Sequence, residues 1–517
     1  MTEPGFQKTD KQLVFRGVVI TLIGRVASLS NAVFFLAGRA LYGGSPFGLF
    51  AIAISIVELL SNFLVGGFAD AVTYFGARYL AKKDDARLYS ALAAAFLWPL
   101  LAALLAMVVI LLAAPAIYDA VWVGHHSREL VVVLQIVAVS LPLIVLVKLP
   151  VEAVKATMDM KWAVLVVDTC LPLLNLSYAV VYWALGFGIR GLALAWVSSY
   201  VTCLPLAWFG YTRYFSVSKT LRALPRAVSN REVRAFALPQ SVNMMLNFGL
   251  VRVDVLMLSG FVSSNLIGIY TIVSEMARTI RTARTSFVGV FAPLVSKYKE
   301  LGNTAGIVES LHAILRWTTA VGLVLTLVLL AFYPELAQQR LNPPKWPLSY
   351  WIPWMLAAGP LLSCLFGLSG NLLLMTGHSR LLLVNSSVSM AVNIALNFAL
   401  IPRWGPLGAA FATLVSNVLL NVLQLWEMRH FESIRLDFGI YLKPLVAVVL
   451  PGAAIVWLTS ASGQAFVYSG GAIGGLAAKV GITVGAVVLF GVGVLVWPGD
   501  NPERQWLVAR LRSRSSV

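Results

Sequence analysis

Charge is scarce in this chain. Lys and Arg (39) with Asp and Glu (22) account for 12% of 517 residues, where a soluble protein of that length carries roughly 130 charged residues. So few charges cannot cover a soluble fold, and a 59% apolar composition leaves surface that only lipid can accept. Cysteine is nearly missing too. Cys170, Cys203 and Cys364 lie far apart in apolar stretches, which excludes a disulfide framework and a cysteine metal site. No long polar segment is available to house a soluble catalytic domain, and no Ser/His/Asp arrangement is visible. The N-terminal residues MTEPGFQKTDKQLVFRG are polar and lead into a full-length apolar run, unlike a cleavable signal peptide.

Long apolar runs fill the space instead. Ala91–Ala114, Leu130–Val147 and Val480–Trp497 contain no Lys, Arg, Asp or Glu, and each is about long enough to cross hydrocarbon as a helix. The pattern predicts an all-α polytopic membrane protein of about fourteen helices, at 17–38, 47–72, 88–113, 129–149, 162–185, 191–212, 235–260, 266–291, 312–333, 349–376, 381–401, 407–428, 444–460 and 476–497. Gly43-Gly44-Ser45-Pro46, Pro343-Pro344, Pro402 with Gly405-Pro406, and Ser462-Gly463 are the turns between them.

The net charge of +17 does not form the single patch that nucleic acid requires. Loops of one parity hold 26 Lys and Arg, from Lys8 and Arg78 through Lys148, Lys155 and the run Arg213–Arg234 to Arg514; the alternate loops hold 7. That bias assigns the basic side and both termini to the cytoplasm. An even helix count preserves the alternation. The basic tail around Arg504–Arg514 suits anionic headgroups, and Trp346, Trp351 and Trp354 suit interfacial anchoring.

The chain also matches itself. Phe47-Gly48-Leu49-Phe50 resembles Ile267-Gly268-Ile269-Tyr270, and Gly191-Leu-Ala-Leu-Ala resembles Gly408-Ala-Ala-Phe-Ala, with nearly equal offsets of 220 and 217 residues. Ser199 then falls on Ser416 and Met158 on Met375. The matched helices enter from the same side, so the repeat is parallel. The expected plan is a six-helix lobe (1–215), a basic cytoplasmic linker (216–234), a second six-helix lobe (235–430), and two further helices with a basic tail (431–517). Paired lobes around a midplane site are a transporter plan.

Ionisable groups inside the membrane cost about 2.5–3.5 kcal/mol each and usually face protein or water. Here they are Arg25, Glu58, Asp168, Arg252, Asp254, Glu275, Arg278, Arg281, Arg284 and Arg316. Arg25 and Glu58 lie at similar depth on antiparallel helices and are expected to pair. Arg252 and Asp254, two residues apart, point to different faces, and Arg252 reads as a boundary residue of the seventh helix. Glu275, Arg278, Arg281 and Arg284 recur every three residues along one side of the eighth helix. Such a stripe is expected to line a wet cavity, where guanidinium groups grip phosphate bidentately; snorkelling of the last two to headgroups is the structural alternative. Asn31, Asn62, Asn175, Asn243, Asn247, Asn393, Asn397, Asn417 and Asn421 suit either helix-to-helix hydrogen bonds or sugar hydroxyls. Gly43–Gly48 lacks a phosphate-loop lysine, Lys82-Lys83-Asp84-Asp85 is a solvated turn, and the pair His125-His126 has no further ligand nearby. No metal and no cofactor is expected.

The stretch Arg39-Ala-Leu-Tyr-Gly-Gly-Ser-Pro-Phe-Gly-Leu-Phe-Ala-Ile-Ala resembles the opening of polysaccharide-biosynthesis flippases, and Asp254-Val-Leu-Met-Leu-Ser-Gly-Phe-Val-Ser-Ser-Asn-Leu-Ile-Gly-Ile-Tyr resembles their seventh-to-eighth helix signature. The likeness runs over most of residues 12–430 and points to the polysaccharide-transporter branch of the multidrug/oligosaccharidyl-lipid/polysaccharide exporter superfamily. That resemblance implies a V-shaped cavity, alternating access, and an undecaprenyl-diphosphate-linked oligosaccharide as cargo. It implies a polysaccharide polymerase and glycosyltransferases as pathway partners. By the same resemblance, Arg25, Arg278 and Arg281 would bind the diphosphate, joined by Arg284 on the same stripe, and the last two helices would hold the lipid tail. Glu58, Asp168, Asp254 and Glu275 would serve coupling or gating. The related lipid II flippases carry an arginine on the second helix, where this chain has Glu58. A cation-coupled drug antiporter of the same superfamily would use acids where the eighth helix is basic. A membrane glycosyltransferase, a ligase or an assembly scaffold is the alternative from another class. The short outer segments 334–348 and 461–475, the second without an acidic residue, leave the enzymes no room for catalytic carboxylates.

Overall fold

The structure, a computed structural model, describes residues 33–122, 124, 126–157, 159, 161–300, 302–337, 351–376, 378–437, 439–459 and 472–496. Among them the chain is helical, without strands. In order, α1 is Val33–Tyr42, α2 Gly44–Ala81, α3 Asp85–Ile117, α4 Glu129–Ala138, α5 Ser140–Lys155, α6 Lys161–Ala163, α7 Leu171–Ala184, α8 Arg190–Thr212, α9 Val217–Arg222 and α10 Leu224–Val228. Then come α11 Arg231–Leu258, α12 Ser264–Glu300, α13 Thr304–Ala337, α14 Ile352–Phe366, α15 Leu368–Met375, α16 Ser379–Trp404, α17 Pro406–Phe431, α18 Gly439–Ala447, α19 Val449–Thr459 and α20 Ala472–Val496. Two π-helical stretches, Tyr118–Trp122 and Val164–Cys170, interrupt them.

Among the described residues, eight helices are long and apolar enough to cross a bilayer, or up to ten when each of two bent pairs is one span. Three shorter apolar helices and the charged α12 also fall on ranges expected as spans. Helices run past several expected ends: α2 reaches 38 residues and α12 37. Lys148, counted with the basic loops at the edge of the expected helix 129–149, lies within α5, which runs on through Pro150 to Lys155. Pro406 opens α17 at a position where its missing N–H is harmless, and Gly405 (φ 55°) makes the turn before it. The three cysteines are free. Trp351 and Trp354 are exposed at the start of α14, as interfacial anchors would be.

One packed seam organises the centre. Numbers fall on α11 as they rise on α2: Leu59 lies by Gly249, Gly66 by Met244, Gly67 by Ala237 and Ser241, and Arg78 bonds Glu232. The two helices are therefore antiparallel. Glycines permit their close approach: a Cβ on Gly67 would stand 2.0 Å from the Ala237 carbonyl oxygen. At the end expected to face outward, a Cβ on Gly48 would stand 1.7 Å from the Ser264 carbonyl oxygen, and Gly268 lies against Gly44 and Phe47. The two segments read as a repeat thus touch each other. Next to this contact His126 is buried, one ring nitrogen 2.7 Å from Ser264 Oγ and the other 2.7 Å from the Ser259 carbonyl. That histidine ties the α11–α12 turn; its neighbour His125 lies outside the described residues. No group of three metal-ligating residues occurs among those described.

Candidate functional site

Glu58 on α2 and Glu275 on α12 stand 10 and 11 residues below the Gly48–Ser264 contact, a depth of about 15 Å at 1.5 Å per residue, half of a hydrocarbon core about 30 Å thick. Arg252 joins them. Its guanidinium contacts Glu58 Oε2 and lies 2.5 Å from Glu275 Oε1, with only 1% of its side chain exposed. Arg278 Nη1 lies 3.3 Å from the other Glu275 oxygen, and its guanidinium sits 5.0 Å from the Phe248 ring centre. Lys148 on α5 also acts electrostatically on Glu58. Four helices thus meet at one charged cluster of three cations and two carboxylates.

Glu58 was expected to pair with Arg25, which lies outside the described residues; among the described residues Arg252 contacts it. Arg252 was read as a boundary residue, yet it is the centre of the cluster. Helix direction explains the difference. Side chains lean toward the N-terminus of their own helix. The run of α11 bends by 59° between Leu250 and Arg252, just after Gly249, and Arg252 leans back toward the membrane middle. Glu58 and Glu275, on helices running the other way, lean toward it. Asp254 does not pair with Arg252, as its spacing implied; it accepts hydrogen bonds from Tyr270 Oη and its neighbour's N–H on Val255. Asp168 lies apart on the π-helical stretch packed on α7 and α8.

Among the described residues, no acid pairs with the lower α12 arginines. Arg281 Nη2 donates to Asn417 Oδ1 at 3.0 Å, and Arg284 Nη1 to the Gly367 carbonyl at 3.0 Å. Both are half-buried. The lean of α12 side chains points them toward the membrane middle, against the snorkelling alternative. Gly367 sits at a 44° break between α14 and α15, which frees backbone carbonyls. Arg284 serves one of them, while Thr318 and Tyr441 serve Cys364 and Leu365; such side-chain repair is how broken helices are tolerated in membranes. Arg284 therefore has a structural duty that its spacing did not reveal. Among the described residues no partner meets several buried donors along the stripe, Nε of Arg278, Arg281 and Arg284 and Nη2 of Arg278, or Nε of Arg252 beside it on α11. An anion arriving among these groups would meet several guanidinium N–H groups at once.

The asparagines divide. Asn393, Asn397, Asn417 and Asn421 are buried and largely bonded within or between helices, the usual interhelical use, and Asn175 is buried with neither amide atom bonded. Asn62, Asn243 and Asn247 are half-exposed on the facing helices α2 and α11. Asn31 lies outside the described residues. One acid unmarked by sequence reasoning, Glu427, is buried and accepts from Asn385 at 2.6 Å.

The sequence pattern of the family described as polysaccharide biosynthesis protein matches residues 40–342. No curated protein sequence matches the chain. Among solved structures, the chain is similar to the lipid II flippase MurJ in an inward closed conformation, with a TM-score of 0.65 and 13% identity over 91% of this chain and 98% of that one. It is similar to an inward-facing multidrug resistance MATE family transporter of the MOP superfamily (TM-score 0.59, 15% identity, 79% and 95% covered). An outward-facing form of such a transporter gives 0.55 and 16% identity, with 81% and 97% covered. At these identities the likeness establishes the fold: a membrane-embedded helical architecture shared with both groups.

Proposed function

The chain belongs to the polysaccharide biosynthesis protein family, and from that premise we propose that it moves an undecaprenyl-diphosphate-linked oligosaccharide from the inner to the outer leaflet of a bacterial inner membrane, without enzymatic chemistry. Lobes 1–215 and 235–430 would rock about the α2–α11 seam, and the polymer assembled outside would be O-antigen, capsule or exopolysaccharide. The observation that carries the reading is the pair Arg281 and Arg284, two guanidinium groups at membrane depth whose partners among the described residues are neutral. A diphosphate brings about two negative charges, which these groups would match. The carboxylates nearest the stripe, Glu58 and Glu275, are already engaged by Arg252 and Arg278, which disfavours a cationic drug as cargo.

The energetics run outward. An inside-negative potential drives each negative charge out by about 2.3 kcal/mol per 100 mV, so the headgroup needs no further driving ion to move downhill. Capture would occur on the α12 arginines while the polyprenyl chain stays in lipid. Release requires weaker contacts in the outward state; breaking Arg252–Glu58, which links α11 to α2, would accompany that change. Half-exposed Asn62, Asn243 and Asn247 stand where sugar hydroxyls would pass. The test is binding by the full chain in nanodiscs of undecaprenyl diphosphate compared with undecaprenol. The account expects the diphosphate to bind at least 100-fold more tightly, with Arg281→Gln removing most of the difference. Equal affinity for the two lipids, or an unaffected variant, rejects it.

A further inference from the structure

We propose that the face formed by α9 and α10 docks onto the anionic phospholipid surface of the membrane beside the protein, an interaction independent of the transported cargo. Residues 216–230 are not a loose tether. Thr220, Ala223 and Ala227 are buried at helical spacing, Tyr211 Oη lies 2.7 Å from Thr220 Oγ1, and Tyr89 Oη accepts from the Ser216 N–H at 3.2 Å. Asn230 further bonds Ser90 on α3 at 3.2 Å. The element is thereby fixed along the basic end of α3, where the apolar run from Ala91 begins.

What it presents outward is an apolar ridge with cations beside it. Leu221 is 58% and Val228 54% exposed, seven residues apart on the same side, with exposed Pro225 between them. Arg222 and Arg226 flank that ridge and are exposed. Neighbouring cations have other engagements: Lys219 with Asp85 at 2.9 Å, Arg78 with Glu232 at 3.0 Å, Arg213 over Phe209 and Arg234 over Trp98. Among the described residues, no acid or ring engages Arg222 or Arg226. Phe209 on α8 and Phe236 and Leu238 on α11 are exposed as well. Apolar side chains at the acyl boundary, with arginines at phosphate level, are the chemistry of an interfacial amphipathic element. A soluble acidic protein would match the arginines but leave Leu221 and Val228 without an apolar partner.

The experiment places the full chain in nanodiscs of either zwitterionic lipid alone or zwitterionic lipid with 30% phosphatidylglycerol. Trypsin cleavage after Arg222 and Arg226 is timed in each. Docking predicts protection of both sites by roughly tenfold in the anionic discs, reversed by 0.5 M salt as surface charge is screened. In parallel, native mass spectrometry counts retained phosphatidylglycerol. Arg222→Gln with Arg226→Gln should lower its apparent affinity roughly 30-fold, the effect of two cations near a charged bilayer. Cleavage at equal rates in both discs leaves the face open to water, assigns it to a soluble partner and overturns the proposal. Unchanged lipid retention by the double variant overturns it as well.

Discussion

Replacing Arg252 with methionine removes the cation that holds Glu58 and Glu275 and keeps most of its apolar stem. Two unit charges 4 Å apart at an effective dielectric near 20 interact by about 4 kcal/mol. Losing one partner of a buried pair typically costs about 3–5 kcal/mol, because the remaining charge is stranded. Exposures of 1%, 5% and 15% for Arg252, Glu275 and Glu58 put this group within that buried regime. Arg252→Met should therefore shorten the thermal half-life of the protein in nanodiscs severalfold, read by size-exclusion after timed heating. The triple variant that adds Glu58→Gln and Glu275→Gln should regain most of that loss, since a buried ion pair replaced by neutral groups of similar volume is often tolerated. A single variant as durable as wild type, or a triple variant no better than the single one, would refute the reasoning that Arg252 is a buried neutralising centre.

Charge reversal gives a second check: Glu58→Lys should not be rescued by Arg252→Glu alone, because the new carboxylate then faces Glu275, and adding Glu275→Gln should improve the recovery of folded protein. Gly48→Ala, whose Cβ would meet the Ser264 carbonyl oxygen at 1.7 Å, should destabilise the fold by about 1–3 kcal/mol as the seam is forced apart, whereas Gly481→Ala, with nothing within 4 Å, should be neutral or better; melting curves of both variants decide. Arg284→Ala leaves the Gly367 carbonyl unpaired at the α14–α15 break and should lower stability by about 1–3 kcal/mol, while Arg281→Ala, which leaves only the Asn417 side chain short of a partner, should cost less; equal losses would contradict the separate duties assigned to them.

The membrane class and most helix positions were legible because apolar length is a local property, and so was the basic stripe on α12, because three-residue spacing states a helical face directly. Partner choice was not. Glu58 meets Arg252 only once α2 and α11 are set antiparallel at a register fixed by Gly66 and Gly67, and nothing local announces that register. Yet one signal for Arg252 was available: on a helix running outward its side chain leans inward, toward the depth of Glu275. The end of α5 was set too early, because the helix continues through Pro150 to Lys155. The buried asparagines could not be sorted, because bonding to the carbonyl four residues earlier, as Asn417 and Asn421 do, leaves no trace in composition.

The central claim is that arginines of α12 hold a lipid diphosphate as it crosses. Its most direct test is a proteoliposome assay with the full chain and a biotin-tagged undecaprenyl-diphosphate oligosaccharide, following capture of the tag from the opposite leaflet under an applied potential. Wild type should translocate it, faster with the receiving side positive, and Arg281→Gln with Arg284→Gln should slow transfer at least tenfold in protein that remains folded. Transfer by that variant at the wild-type rate, or none by wild type under either polarity, would contradict the account.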